Sequence, residues 1–261
     1  MTDTVDTEQM PENAALQAIH PLPFISEDKN SKSLHFSIDQ LQSRMNIRQP
    51  EALELDYTRI MMGFLLLNQQ PKHIAMIGLG GGSLAKFCHR NLPDTQITVV
   101  EINPHVIAIR QDFLVPEDSE RFKVIEADGA DFVRDADPDF DVLLVDGYDQ
   151  QGQPPQLGSQ QFYENCCGVL TDQGILVVNL HAHHANYDLY IDRINRSFDG
   201  NTGEVPANKE GNTVVFAAKN RVISAHGARK KSDLDAFATE DLKALKSVFQ
   251  KISQTWQNPP A

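Results

Sequence analysis

Three short stretches hold the residues that could do chemistry, and each follows an apolar run. The first is IAMIGLGGGSLAKF, Ile74 to Phe87, where Gly78, Gly80, Gly81 and Gly82 crowd one loop and a helix-like segment begins at Ser83. Glycine takes positive φ without steric cost and, lacking Cβ, lets a ligand touch the backbone. The helix behind it offers free N–H groups at its start. The second stretch is VVEIN, where Glu101 closes an apolar run and offers a carboxylate able to accept both hydroxyls of a ribose. The third is EADGAD, where Asp128 and Gly129 open the next helix. Asp128 can face an adenine amino group, cap the helix, or do both.

These stretches point to a nucleotide cofactor but leave its type open. The dinucleotide fingerprint G-x-G-x-x-G needs glycine where Ser83 stands, while G-x-G-x-G fits an adenosyl-sulfonium loop as well or better. Glu101 does not separate the two, since both ligands place a ribose there. Asp128 favours the adenosyl sulfonium, because a dinucleotide enzyme requires no acid at that point. A further pair, Asp146 and Asp149, ends the apolar run in VLLVDGYD and faces the same crevice. His181, His183 and His184 follow another run, and their spacing raises a metal site. With no Cys, Asp or Glu at ligand spacing beside them, a rim or packing role is preferred and no metal is expected.

The elements that must position these residues alternate. Apolar strands are expected at Ile74–Ile77, Ile97–Ile102, Phe122–Ile125, Val142–Val145, Ile175–Leu180 and Val214–Ala217. Helices are expected between them at Ser83–Asn91, His105–Phe113, Ala130–Arg134, Ser159–Leu170 and Tyr187–Phe198. β-branched runs alternating with helices imply a parallel sheet covered on both faces, hence an α/β class. Upstream, Leu34, Phe36 and Ile38 alternate with polar residues and turn at Asp39-Gln40 into Leu41–Met45, a small hairpin. Pro50–Leu67 reads as a helix, and Thr239–Trp256 as a last one with Leu242, Leu245, Val248, Phe249 and Ile252 on one stripe. Residues 1–30 are polar and expected to be disordered; 31–70 hold the hairpin and helix, and 71–261 the cofactor-binding domain.

Composition excludes several classes. The net charge of −13 disfavours nucleic acid as a partner, and the one basic cluster is Arg229-Lys230-Lys231. An acidic surface suits a cationic substrate. The run Ile60–Leu67 is far shorter than the ~20 apolar residues of a membrane span, and the acidic N-terminus is no signal peptide. Cys88, Cys166 and Cys167 suit a reduced, cytoplasmic setting, with the adjacent pair inside a helix as core.

Taken as a set, LHFSIDQLQSRM, LDYTRIMM, MIGLGGGSL, VVEINPHVI, EADGADFV and LLVDGYD resemble the polyamine aminopropyltransferases, the spermidine synthase family, over about Leu34 to Phe216. The resemblance implies a small N-terminal β region before a Rossmann-like methyltransferase fold with a mostly parallel seven-stranded sheet. It implies transfer of an aminopropyl group from decarboxylated S-adenosylmethionine to a polyamine such as putrescine, with methylthioadenosine as product and a homodimeric assembly. By position, Glu101 would bind the ribose, Asp128 and Gly129 the adenine, and Gly78, Gly80 and Gly81 the rest of the cofactor. Gln42 would face the cofactor from the hairpin, within one residue of register. Asp146 would be the catalytic base and Asp149 an amine anchor, with Tyr57 and Tyr148 lining the substrate pocket. An alkyl ammonium has a pKa of ~10.4 by analogy with lysine, so a carboxylate must take its proton as the amine attacks.

The departures lie on the amine side. The family loop reads G-G-G-D-G, and its aspartate position is Gly81 here. Gly147 and Tyr148 replace a small pair, Gln150 replaces a proline, Thr58 replaces a glutamine, and a C-terminal tyrosine segment has no match near Asn212–Phe216. Losing the acid at position 81 removes a repulsion against the carboxylate of ordinary S-adenosylmethionine. Two other readings therefore stand: a methyl- or aminocarboxypropyl-transferase using that donor, and a catalytically silent nucleoside-binding protein. An NAD oxidoreductase ranks behind them.

Overall fold

In the computed structural model, residues 20–38, 40–137, 139–148, 152–207, 211–220, 223 and 239–257 are described. Arg229-Lys230-Lys231 and Asp149 lie outside them. Strands β1 (Phe24–Glu27), β2 (Ser31–Ser37) and β3 (Gln40–Asn46) form a small antiparallel sheet. The expectation of disorder through residue 30 fails at β1. Phe24 stacks on His35 at 5.3 Å, and Asp28 ties the turn by accepting from the N–H groups of Asn30 and Ser31.

Helix α1 (Asp56–Met61) passes into a 3-10 turn, Met62–Leu66, so the helix expected from Pro50 starts later. Then come β4 (His73–Ile77), α2 (Ser83–Asn91), β5 (Gln96–Glu101), α3 (Pro104–Ala108), β6 (Phe122–Glu126), α4 (Gly129–Asp135) and β7 (Phe140–Val145). After these follow α5 (Gln160–Val169), β8 (Leu170–His181), α6 (Tyr187–Ser197), β9 (Thr202–Pro206) and β10 (Asn212–Ala218). The C-terminal helix is divided at Leu245 into α7 (Glu240–Ala244) and α8 (Lys246–Gln257). The main sheet has seven strands in the order β6-β5-β4-β7-β8-β10-β9. Its first five run parallel, while β10 runs antiparallel to both β8 and β9. The order reverses beside β4, so a crevice opens at the carboxyl ends of β4, β5 and β7. β9 escapes sequence reading because TGEVP carries one buried side chain, Val205, and ends in proline.

Each sheet face has its own core. One joins Met61, Met62, Phe64, Leu65, Phe87, Phe216, Phe249, Ile252 and Trp256 under α1, α2 and α8. The other joins Val133, Phe162, Tyr163, Cys166, Tyr190 and Ile194 under α4, α5 and α6. No helix among the described residues is long and apolar enough to cross a membrane.

Gly63 marks where the first core is tightest. A Cβ there would lie 2.7 Å from Phe216 Cζ and 2.8 Å from Ile252 Cδ1, and both of those side chains are fully enclosed. Gly63→Ala should therefore lower unfolding stability by about 1–3 kcal/mol through overpacking. The check is the urea midpoint at unchanged m; an unmoved midpoint would mean that this core yields freely.

Candidate active site

The crevice begins where β4 and β7 leave the sheet side by side. Gly78 has φ 97°, and a Cβ on it would sit 2.3 Å from the Asp146 carbonyl oxygen. Only glycine allows that approach, which is fixed by the Asp146 N–H donating to the Ile77 carbonyl at 2.9 Å. Gly80 and Gly82 take φ 50° and 67°, the left-handed region, and turn the loop into the start of α2. Gly81 is enclosed instead. A Cβ there would meet Ser43 Oγ at 2.7 Å and Phe113 Cδ1 at 2.9 Å.

Ser43 is the hairpin residue packed on this loop. Its side chain is buried, and its hydroxyl lies 3.4 Å from that of Ser83. The ladder pairs Leu34 with Ser43 and then His35 with Leu41, so Gln42 occupies a bulge and is half-buried. A register argument cannot see this, because one extra residue in a strand exchanges which side chain faces inward.

Glu101 closes β5 beneath the loop and is 9% exposed. Its Oε2 accepts the Leu79 N–H and its Oε1 the Asn103 N–H, each at 2.9 Å. Burial raises its pKa, and backbone donors at Leu79, Asn103, Gly80 and Ile102 oppose that rise. Of these donors, Leu79 and Asn103 stand at 2.9 Å, and a carboxylate has about four acceptor sites. Ile102, next along, is 43% exposed and gives the lip of the crevice an apolar surface. At the exit of β6, Asp128 accepts from Ala130 N at 2.7 Å as the cap of α4. Gly129 lies against Ile77, whose Cγ2 would be 2.4 Å from a Cβ there.

Asp146, at the exit of β7, is held on both oxygens. Tyr57 OH donates to Oδ2 at 3.1 Å, and Asn179 Nδ2 donates to Oδ1 at 2.9 Å. Burial pushes the Asp146 carboxyl upward, partly offset by these two donors. Tyr57 and Tyr148 are raised too, first by burial and then by the Asp146 charge. Tyr148 OH donates to the Asn179 carbonyl at 2.8 Å, and His181 packs edge-on against its ring at 4.8 Å. Asn179, 3% exposed, was not singled out from the sequence. Its signal was there: it is the polar residue interrupting the enclosed run ILVVNL.

The histidines after β8 take separate places. His181 is exposed beside Tyr148, while the His183 ring lies against Gly211 and His184 stacks on Tyr190. Among the described residues, no group of three His, Cys, Asp or Glu side chains is placed to hold a metal ion. Cys166 belongs to the core; Cys167 is half-buried.

A glycine loop with acids at the exits of β5, β6 and β7 lines the ligand crevice of a doubly wound α/β sheet. The spermine/spermidine synthase domain model matches residues 54–203, more than half of the chain, and the chain belongs to that family of transferases. A polyamine aminopropyltransferase of Chromobacterium violaceum is 41% identical over 212 residues, covering 80% of this chain and 81% of that one. A probable spermidine synthase from Corynebacterium glutamicum superposes with a TM-score of 0.69 at 17% identity, over 87% of this chain and 90% of its own. A spermidine synthase in complex with the transition-state analogue AdoDATO gives a TM-score of 0.63 at 20% identity, over 86% and 83%. The two structures show a shared fold.

Behind the loop, Lys86 on α2 is 2% exposed and donates from Nζ to the Phe113 carbonyl at 2.7 Å. It fastens the segment whose Phe113 and Val115 side chains wall Gly81 and Gly82. Burial lowers its pKa from 10.5 to about 8, against a smaller opposing pull from Glu51. Between those two values the unfolded chain binds more protons than the native one, so the cost of enclosing the ammonium fades as pH rises. Wild type should therefore gain stability relative to Lys86→Met from about pH 8 to 10.5, read by urea midpoints. A difference independent of pH would mean that the ammonium is solvated.

Proposed function

We propose that the protein transfers an aminopropyl group from decarboxylated S-adenosylmethionine to a polyamine acceptor such as putrescine. The observation carrying this reading is the Asp146 carboxylate, clamped by Tyr57 and Asn179 beside a loop that ends over Glu101. The relative from Chromobacterium violaceum, matched over most of both chains, supports it. The loop N–H groups, Glu101, Ile102 and Asp128 suit an adenosyl group: acceptors for a diol, an apolar lip for the base, and an acid for its amino group. When bound, the donor supplies an electrophilic carbon next to a sulfonium.

Asp146 binds the acceptor ammonium and takes its proton. The freed lone pair forms the C–N bond, the C–S bond breaks, and its electron pair stays on sulfur in neutral methylthioadenosine. Raising a carboxyl pKa brings a base nearer to the operating pH, which favours proton transfer. Holding both Asp146 oxygens fixes the direction in which it accepts, and alignment supplies most of the remaining rate. Asp149 as amine anchor, with Tyr57 and Tyr148 as pocket walls, completes the reading. A homodimer in a reduced, cytoplasmic setting belongs to it as well. The free thiols of Cys88, Cys166 and Cys167 and the exposed Phe24, Ile38 and Leu41 near the small sheet support those two points.

A second reading, in which the donor keeps its carboxylate, is favoured by Gly81, which leaves the loop without an acid. Calorimetry with both donors, followed by putrescine and detection of methylthioadenosine, decides between them. The first reading expects tighter binding of the decarboxylated donor, turnover, and a loss of about 10²–10⁴ in kcat for Asp146→Asn. Preference for the carboxylated donor would transfer the case to the second. Nucleoside binding without turnover, unaffected by Asp146→Asn, would sink both. Gly81→Asp should lower activity rather than raise it, because its Cβ enters the space of Ser43 and Phe113.

A further inference from the structure

The Asn179 carboxamide stands between two partners. Its Nδ2 donates to Asp146 Oδ1 at 2.9 Å, and its Oδ1 accepts from Asn212 Nδ2 at 3.1 Å. Asn212 opens β10 and pairs with His181 across the β8–β10 ladder, diagonal to Asn179. An amide beside a carboxyl group can serve either protonation state. It donates to a carboxylate, or it turns over and accepts from a carboxylic acid. Here, turning over would set the Asn179 NH₂ against the NH₂ of Asn212. The second option then requires both carboxamides to turn over together, and Asn212 disfavours it.

We propose that Asn212 is a positioning residue for Asp146: it locks the Asn179 carboxamide with its N–H toward the carboxyl group and so favours the ionised, proton-accepting form. The catalytic consequence rests on the reading of Asp146 as the base; the lock itself does not. The phenols on this side of the crevice stay neutral while Asp146 titrates. Tyr57 from α1 and Tyr148 from the β7 exit are phenols kept neutral by burial. His181 from β8 is pulled down by burial and by His184 and His183, with Tyr148 against its ring. The glycine loop contributes backbone alone at Gly78.

The test is a carbon-13 NMR titration of the Asp146 carboxyl, assigned by its loss in Asp146→Asn. It is run on wild type, Asn212→Leu and Asn212→Ala, with circular dichroism to confirm folding. Without the lock the Asp146 titration should move up by about one pH unit, a tenfold change in proton affinity. The acid limb of kcat/KM should move up equally, with the plateau kept within about twofold. Either variant suffices if the other fails to fold. An Asp146 titration identical to wild type in a folded variant overturns the proposal. If the titration moves and the acid limb of kcat/KM stays, the lock stands and the assignment of Asp146 as base fails.

Discussion

The site depends on one close approach. β4 and β7 leave the sheet so near each other that position 78 has no room for a Cβ beside the Asp146 carbonyl, and the Asp146 N–H reaches back to Ile77. That contact puts the carboxylate of β7 beside the loop of β4, and Gly78 N also donates to Val100 on β5 at 2.8 Å. Three strand exits are thereby drawn into one crevice. Glu101, Gly78 and Asp146 belong to a single rigid unit because the backbone hydrogen bonds joining them are enclosed and costly to leave unmade.

Burial then divides the chemistry between two carboxylates. Both are raised by desolvation, but different groups oppose the rise. Glu101 is met by backbone N–H groups at fixed positions. Asp146 is met by the side chains of Tyr57 and Asn179, drawn from α1 and β8. Its environment is assembled from distant parts of the chain and can respond to them. The two carboxylates thus differ in the kind of donor that each one faces.

The glycine loop shows how a missing side chain is absorbed. Gly81 leaves no vacancy, because Ser43 from the small sheet and Phe113 from the segment after α3 fill the space, with Lys86 fastening the latter. The small sheet is thus part of the crevice wall. Its β1 strand went unread because Pro21 and Pro23 interrupt the apolar residues Leu22, Phe24 and Ile25. Gly81 belongs to a packed surface, in which it cannot be exchanged without its neighbours.

The alternation of apolar runs with helices gave the parallel sheet, because strands enclosed on both faces must be continuously apolar and helices must be amphipathic. Glycine spacing and the acids at run ends located Gly78, Glu101, Asp128 and Asp146, since strand ends in such a sheet converge on one edge. Local pattern could not reach the pairing partners. Ser43 packs on the loop and Gln42 takes the bulge beside it, because a bulge shifts facing without altering composition. Asn179 lies far from Asp146 along the chain and meets it, and Asn212 meets Asn179, only through the order β7-β8-β10. The sequence by itself determined which elements form and which ends carry acids. The tertiary structure alone decided which donors each acid meets, because side-chain hydrogen bonds are set by strand neighbours and register, and neither is a local property of the chain.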